Sequence, residues 1–210
     1  MSASIPARIF GATVVIAAAA FLGAFAESHR HGSPPPLMSA TDVTFAQMMM
    51  AHHQQAITIC DLLSADAAPE IRTLADQIRL QQQAEVGTMV GWLQLADQPL
   101  NPTTPSAAAG HGMSHHQDTG QHTGMQMGMA SPDELARLQR ATGRANETLF
   151  LQLMTRHHQG GAEMAFDQTR DGSNDAVRRT ALAMVNEQTQ EIQLMEHLMK
   201  SRDATPLPYP

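Results

Sequence analysis

Phe45-Ala-Gln-Met-Met-Met-Ala-His-His-Gln54 returns 105 residues later as Phe150-Leu-Gln-Leu-Met-Thr-Arg-His-His-Gln159. Six of the ten positions are identical: Phe45/Phe150, Gln47/Gln152, Met49/Met154, His52/His157, His53/His158 and Gln54/Gln159. A second block follows each copy at an offset of 106 residues, with Arg72/Arg178, Ala75/Ala181, Gln82/Gln188, Glu85/Glu191 and Met89/Met195 identical. Two matched blocks in the same order mean an internal duplication.

Each block has helical periodicity. Ile71, Leu74, Ala75, Ile78, Gln82, Glu85, Val86, Met89 and Leu93 recur every three or four residues. Pro69 suits a first helical turn. Ser131-Pro-Asp-Glu134 reads as a capping box, and Gly172-Ser-Asn174 as an N-cap. The pattern predicts helices near 42–64, 69–96, 132–170 and 175–200, with Gly143 as a point of interruption. Strand patterns are lacking. Two helical hairpins with one apolar stripe per helix bury those stripes best against each other, which predicts an all-α four-helix bundle.

The flanking segments divide the chain. Arg8 followed by the apolar run 9–26, ending in Ala24-Phe-Ala26, reads as an export signal. An uncleaved membrane anchor over 9–26 is the other reading, since the run is near the ~20 residues that span a bilayer. Either reading puts the rest of the chain outside the cytoplasm, periplasmic or secreted. Residues 27–40, with three consecutive prolines, are expected to be a disordered leader. The duplicated domain is expected over 41–201, with hairpins 41–97 and 131–201, a linker over 98–130 and a tail over 202–210.

Composition narrows the function. The formal charge is -7 and aromatic residues make up 4%. A basic stripe and stacking aromatics are both missing, which argues against nucleic acid as a partner. Cys60 is the single cysteine, so packing holds the core. Its inward position reads as a small buried hydrophobe, with a thiolate ligand as the minor alternative, and Trp92 reads as packing. Met (15) and His (11) are in excess. Met is soft and His is the commonest metal ligand, so the excess points to metal ions as partners.

On a helical wheel His52 and His157 point inward beside Met49 and Met154, while His53 and His158 fall at the edge of the face. Glu85 with Met89, and Glu191 with Met195, lie on the partner stripes. A carboxylate on a core face is costly unless paired or ligated. It is either a buried Glu–His hydrogen bond that fixes register, or a ligand or orienting partner of a metal-bound His. Met-x-x-His stands where di-iron bundles carry Glu-x-x-His. Thioether plus imidazole suits a soft ion, chiefly Cu(I), with Ag(I) similar. The linker repeats these ligand types in His111, Met113, His115, His116, His122, Met125, Met127 and Met129. Cleavage after Ala26 would leave Glu27-Ser-His29, whose amine, amides and imidazole suit Cu(II).

With these residues in view, the chain resembles the domain of unknown function 305 family. Its members carry paired Phe-x-x-x-Met-x-x-His-His segments, often around a Gly/Met/His-rich stretch. The resemblance implies a ferritin-like helical bundle and, for some members, similarity to periplasmic copper-binding proteins. It implicates Met49, His52, His53, Met154, His157 and His158. Many members continue Gly-Ala-Ile-x-Met-Ala after the His pair. Here the copies read Gln55-Ala-Ile-Thr-Ile-Cys60 and Gly160-Gly-Ala-Glu-Met-Ala165, which questions the equality of the two sites. The expected function is a non-enzymatic, extracytoplasmic copper-binding protein. A ferritin-like metal oxidase and a metal-free structural bundle are the alternatives.

Overall fold

The computed structural model describes residues 36–102 and 127–209. Every regular element among them is a helix: α1 (Ala40–Asp61), α2 (Pro69–Leu95), α3 (Pro132–Arg140), α4 (Gly143–Asp171) and α5 (Asp175–Lys200). Helices α1 and α2 form one hairpin and α4 and α5 the other; α1 packs on α4 to join them. The expected export signal and nearly all of the leader lie outside the described residues. The leader does end earlier than expected, because Met38 is already buried in the core and Ser39 caps α1. None of the described helices is long and apolar enough to cross a membrane.

The ends of the helices follow from local chemistry. Ser39 and Asp42 form a capping box on α1, Ser131 and Glu134 form one on α3, and Asn174 accepts from the amides of Ala176 and Val177. Pro69 and Pro132 sit in first turns, where no amide donor is needed. The expected third helix is broken in two. Ala141 and Thr142 are extended, and Gly143 opens α4 at φ +53°, a conformation that favours glycine. Replacing Ser131 by Ala removes a cap worth about 1 kcal/mol. Thermal unfolding should then fall by about 2–4 °C, and an unchanged midpoint would show that the cap contributes nothing.

The two copies use equivalent residues at equivalent joints. Gln47 donates to the carbonyl of Pro99 just after α2 (2.7 Å), and its counterpart Gln152 donates to that of Thr205 just after α5 (2.8 Å). Asp97 and Asp203 both take φ 53° at the ends of those helices. Asp42 accepts from Ser173 and Asn174 in the α4–α5 turn. Glu147, at the same 105-residue offset, accepts from Ala68 N in the α1–α2 turn (2.7 Å) and pairs with Arg202. Each acid therefore fastens the turn of the opposite hairpin.

The core is two apolar clusters. Phe45, Met49, Met89, Leu93, Ala165 and Met184 belong to one; Ile59, Cys60, Ile78, Phe150, Met154 and Met195 to the other. Residues before His52 in α1 thus meet residues after His158 in α4, so the two helices run antiparallel. The paired histidines lie between the clusters along both helices. Cys60 is packed as a hydrophobe, and burial pushes its thiol up to about 12. Trp92 packs partly buried against the first cluster.

A candidate metal centre at the crossing of the two motif helices

All four motif histidines are buried, at 1% exposure or less. The wheel reading that placed His53 and His158 at an edge is corrected. Helix α1 packs against both α2 and α4, so its buried arc is wide enough to take two consecutive residues. His52 and His157 stack across the crossing, with ring centroids 3.7 Å apart and planes 30° from parallel. His53 and His158 flank them at 6.4 and 6.2 Å from their own neighbours. Two separate sites were expected from the two motifs; the structure joins them into one layer.

Every Nε2 in the layer faces an oxygen. His53 meets Glu85 at 2.6 Å and His158 meets Glu191 at 2.7 Å. His157 meets the carbonyl of His52 at 3.0 Å, and His52 meets the carbonyl of Met127 at 3.0 Å. A carbonyl only accepts, so Nε2 of His52 and of His157 carries the proton and donates. Glu85 and Glu191 accept from Nε2 of the other two rings. A neutral imidazole that donates from Nε2 has a bare lone pair on Nδ1. The Nδ1 atoms of all four rings are buried without a hydrogen-bond partner.

Protonation does not resolve this arrangement at His52, His53 and His157. Burial holds His52 at about 3, offset slightly by the Met127 carbonyl and reinforced by neighbouring rings. Burial and the His158 ring likewise hold His53 at about 3, and burial with the other three rings keeps His157 well below the ordinary range. Burial raises Glu85, and it raises Glu187 together with the adjacent Glu85, with which Glu187 shares a hydrogen bond.

The remaining buried unpartnered side-chain atoms among the described residues belong to Gln82, Thr155, Gln159 and Gln188. Gln82 and Gln188 precede Glu85 and Glu191 by one turn, Thr155 precedes His158 by one turn, and Gln159 follows it. Gln188 and the His52 ring both crowd the position where a side chain on Gly161 would start. The Nδ1 atoms of His52, His53 and His157 and three amide oxygens are lone-pair donors here, against one amide nitrogen and one hydroxyl able to supply protons. A buried region rich in lone pairs and poor in protons is complementary to a cation.

The other expected ligands divide. Met49 with Met89, and Met154 with Met195, are fully buried in the clusters on either side of the layer. Glu85 and Glu191 bond His53 and His158, a pairing that a register-fixing hydrogen bond and an orienting partner both predict. Among the described residues no three His, Cys, Asp or Glu side chains converge as a ligand group. His29, His111, Met113, His115, His116, His122 and Met125 lie outside the described residues. Met127 and Met129 are described, half-buried beside the layer. Sequence reasoning missed the backbone of this segment as a partner of His52. The one available signal was Gly160-Gly161, which replaces Gln55-Ala56 of the first copy.

Solved structures share this architecture. A DUF305 protein of Streptomyces coelicolor is 33% identical with a TM-score of 0.67, over 80% of this chain and 96% of its own. A DUF305 fragment from Deinococcus radiodurans is 30% identical with a TM-score of 0.66, over 80% and 99%. CopM in its Cu(II)-bound form is 26% identical with a TM-score of 0.59, over 76% and 96%. No curated protein matches in sequence. The family model for the domain of unknown function 305 matches residues 42–199, both motif helices and both partners included, and the chain belongs to that family.

Proposed function

We propose that the chain binds a soft metal ion, Cu(I) or Ag(I), outside the cytoplasm, as a buffer or carrier and not as an enzyme. The observation that carries this reading is the set of four buried imidazoles whose Nε2 atoms are engaged by oxygens and whose Nδ1 atoms have no partner. Orienting oxygens behind metal-bound histidines are the usual arrangement. Candidate ligands are the Nδ1 atoms of His52, His53, His157 and His158 and the thioethers of Met49 and Met154 one turn away on the same helices; since no three of these imidazoles converge, an ion would take no more than two of them together. Nitrogen and thioether donors suit a soft monovalent ion. CopM, a relative, has been captured with Cu(II), Cu(I) and silver bound. The linker His and Met residues would add capture sites.

The test is an anaerobic Cu(I) titration against a competing chelator, with metal counting, on three proteins. These are the chain from Glu27 onward, a variant with all four motif histidines replaced by Ala, and a His52→Leu/His157→Leu variant. Circular dichroism selects folded material. The folded variants should lose bundle-bound copper while linker-bound copper remains. Unchanged stoichiometry in either folded variant overturns the proposal.

A further inference from the structure

The linker leaves and rejoins the bundle on α1, on either side of His52. Gln47 holds its start at Pro99 and Asn101. Gln55 holds its end at Ala130, and does so twice: Nε2 donates to the Ala130 carbonyl (2.9 Å) and Oε1 accepts from the Ala130 amide (2.6 Å). One side chain thereby takes both hydrogen-bonding groups of one backbone residue, as a neighbouring strand would. From the other side, Arg156 donates to the carbonyls of Gly128 and Met129 (3.4 Å each) and is itself paired with Glu134.

The strap Met127–Ala130 fits only because of glycine. A side chain on Gly160 would collide with the Met127 carbonyl group, and one on Gly128, at φ +72°, with the Arg156 carbonyl. Gln55 and Gly160 occupy equivalent positions in the two copies, at the 105-residue offset. The residue of the first copy grips the strap, and that of the second makes room for it.

The strap breaks the symmetry of the histidine layer. His157 donates to a helix carbonyl, that of His52. The symmetric partner for His52 would be the carbonyl of His157, but His52 donates to Met127 instead. One ring is fixed by a helix, the other by four residues of linker.

We infer that Gln55 is a positioning residue of the histidine layer: by clamping Ala130 it holds the Met127 carbonyl on His52 Nε2 and so keeps the His52 Nδ1 lone pair bare. Through it the end of the Met/His-rich linker is a built part of the site, and the two halves are unequal. His52 is the ring whose presentation can be changed without disturbing a helix. The consequence for metal affinity rests on the metal-binding reading above; the tautomer assignment does not.

The test uses the full chain, labelled with 15N and metal-free. Long-range proton–nitrogen spectra of the imidazoles report which nitrogen carries the proton, which a merely structural glutamine would not alter. In Gln55→Leu the His52 signals should move from the Nε2–H form to a mixture of tautomers while those of His157 stay in place. Silver(I) should then bind at least five-fold more weakly than to the wild type. Gly160→Ala, which pushes the strap off from the opposite side, should give the same His52 signature and covers the case in which Gln55→Leu does not fold. An unchanged His52 spectrum in a folded variant overturns the inference. So does unchanged silver affinity beside a wild type that binds silver. A wild type that binds none refutes the metal reading, while the spectra still decide the role of Gln55.

Discussion

Taking the metal-free protein from pH 7 to pH 4 unfolds it. His52 and His53 titrate near 3 in the folded state and His157 well below its ordinary value, against about 6.5 when unfolded. Between these limits the three histidines bind up to three more protons in the unfolded chain than in the folded one; the raised Glu85 and Glu187 carboxyls work against this in part, holding protons in the folded state that the unfolded chain has released. Stability therefore rises with pH in this window and is lost as the pH falls below 6.5. One proton is worth about 1.4 kcal/mol per pH unit, so three give roughly 4 kcal/mol per unit. A domain in the lower part of the usual stability range, about 5–10 kcal/mol, is exhausted with a midpoint of roughly pH 4 to 5. Helical circular dichroism followed against pH checks this. A stability that stays flat from pH 7 to 4 would mean that the imidazoles are not buried in neutral form.

Removing the carboxylate of Asp42 should be nearly as severe at neutral pH. That side chain is fully buried and lacks a cationic partner. It accepts from the amides of Ser39, Ser173 and Asn174, from the Gln168 side chain, and from two serine hydroxyls. Burial pushes its carboxyl up, but the Ser39, Ser173 and Gln168 bonds together outweigh that and leave it below the ordinary carboxylate range. In Asp42→Ala at least four N–H groups lose their acceptor. Each unsatisfied buried donor costs about 1–3 kcal/mol, and with water reaching part of the cluster the loss should be about 3 kcal/mol in urea unfolding. Asp42→Asn should not restore it, because its NH2 group would face other donors. A loss under about 1 kcal/mol refutes this account. The contribution of Asp42 is present above the ordinary carboxylate range and fades only as pH falls through a still lower value. The histidine transition is therefore seen first in acid.

What the sequence could reveal depended on what was periodic. The duplicated Phe-x-x-x-Met-x-x-His-His blocks and the stripe from Ile71 to Leu93 fixed the helices and their pairing, since burial of one face per helix leaves few arrangements. The capping residues Ser131 and Asn174 were legible for a local reason: each satisfies amides within three residues. His53 was misplaced because a wheel assumes one buried face, whereas α1 has two neighbours. Asp42 and Glu147 were readable as a further repeat three residues before Phe45 and Phe150, but their partners lie in the opposite hairpin, which no local pattern encodes. The strap was hidden in a stretch whose composition reads as unstructured. Its contacts are made by backbone atoms, which carry no sequence signature except the glycines that admit them.

The ring stack between His52 and His157 bears on how such a chain arises. The contact joins the same residue of two copies across an approximate two-fold, as in a symmetric homodimer. A lone ancestral hairpin would present a half-layer with an exposed imidazole and would bury it by pairing with a second molecule of itself. Carrying both hairpins on one polypeptide keeps that contact without dependence on concentration. It also creates something no homodimer has: a connecting peptide present once. The halves differ where they meet it: Gln55 grips it and Gly160 makes room for it.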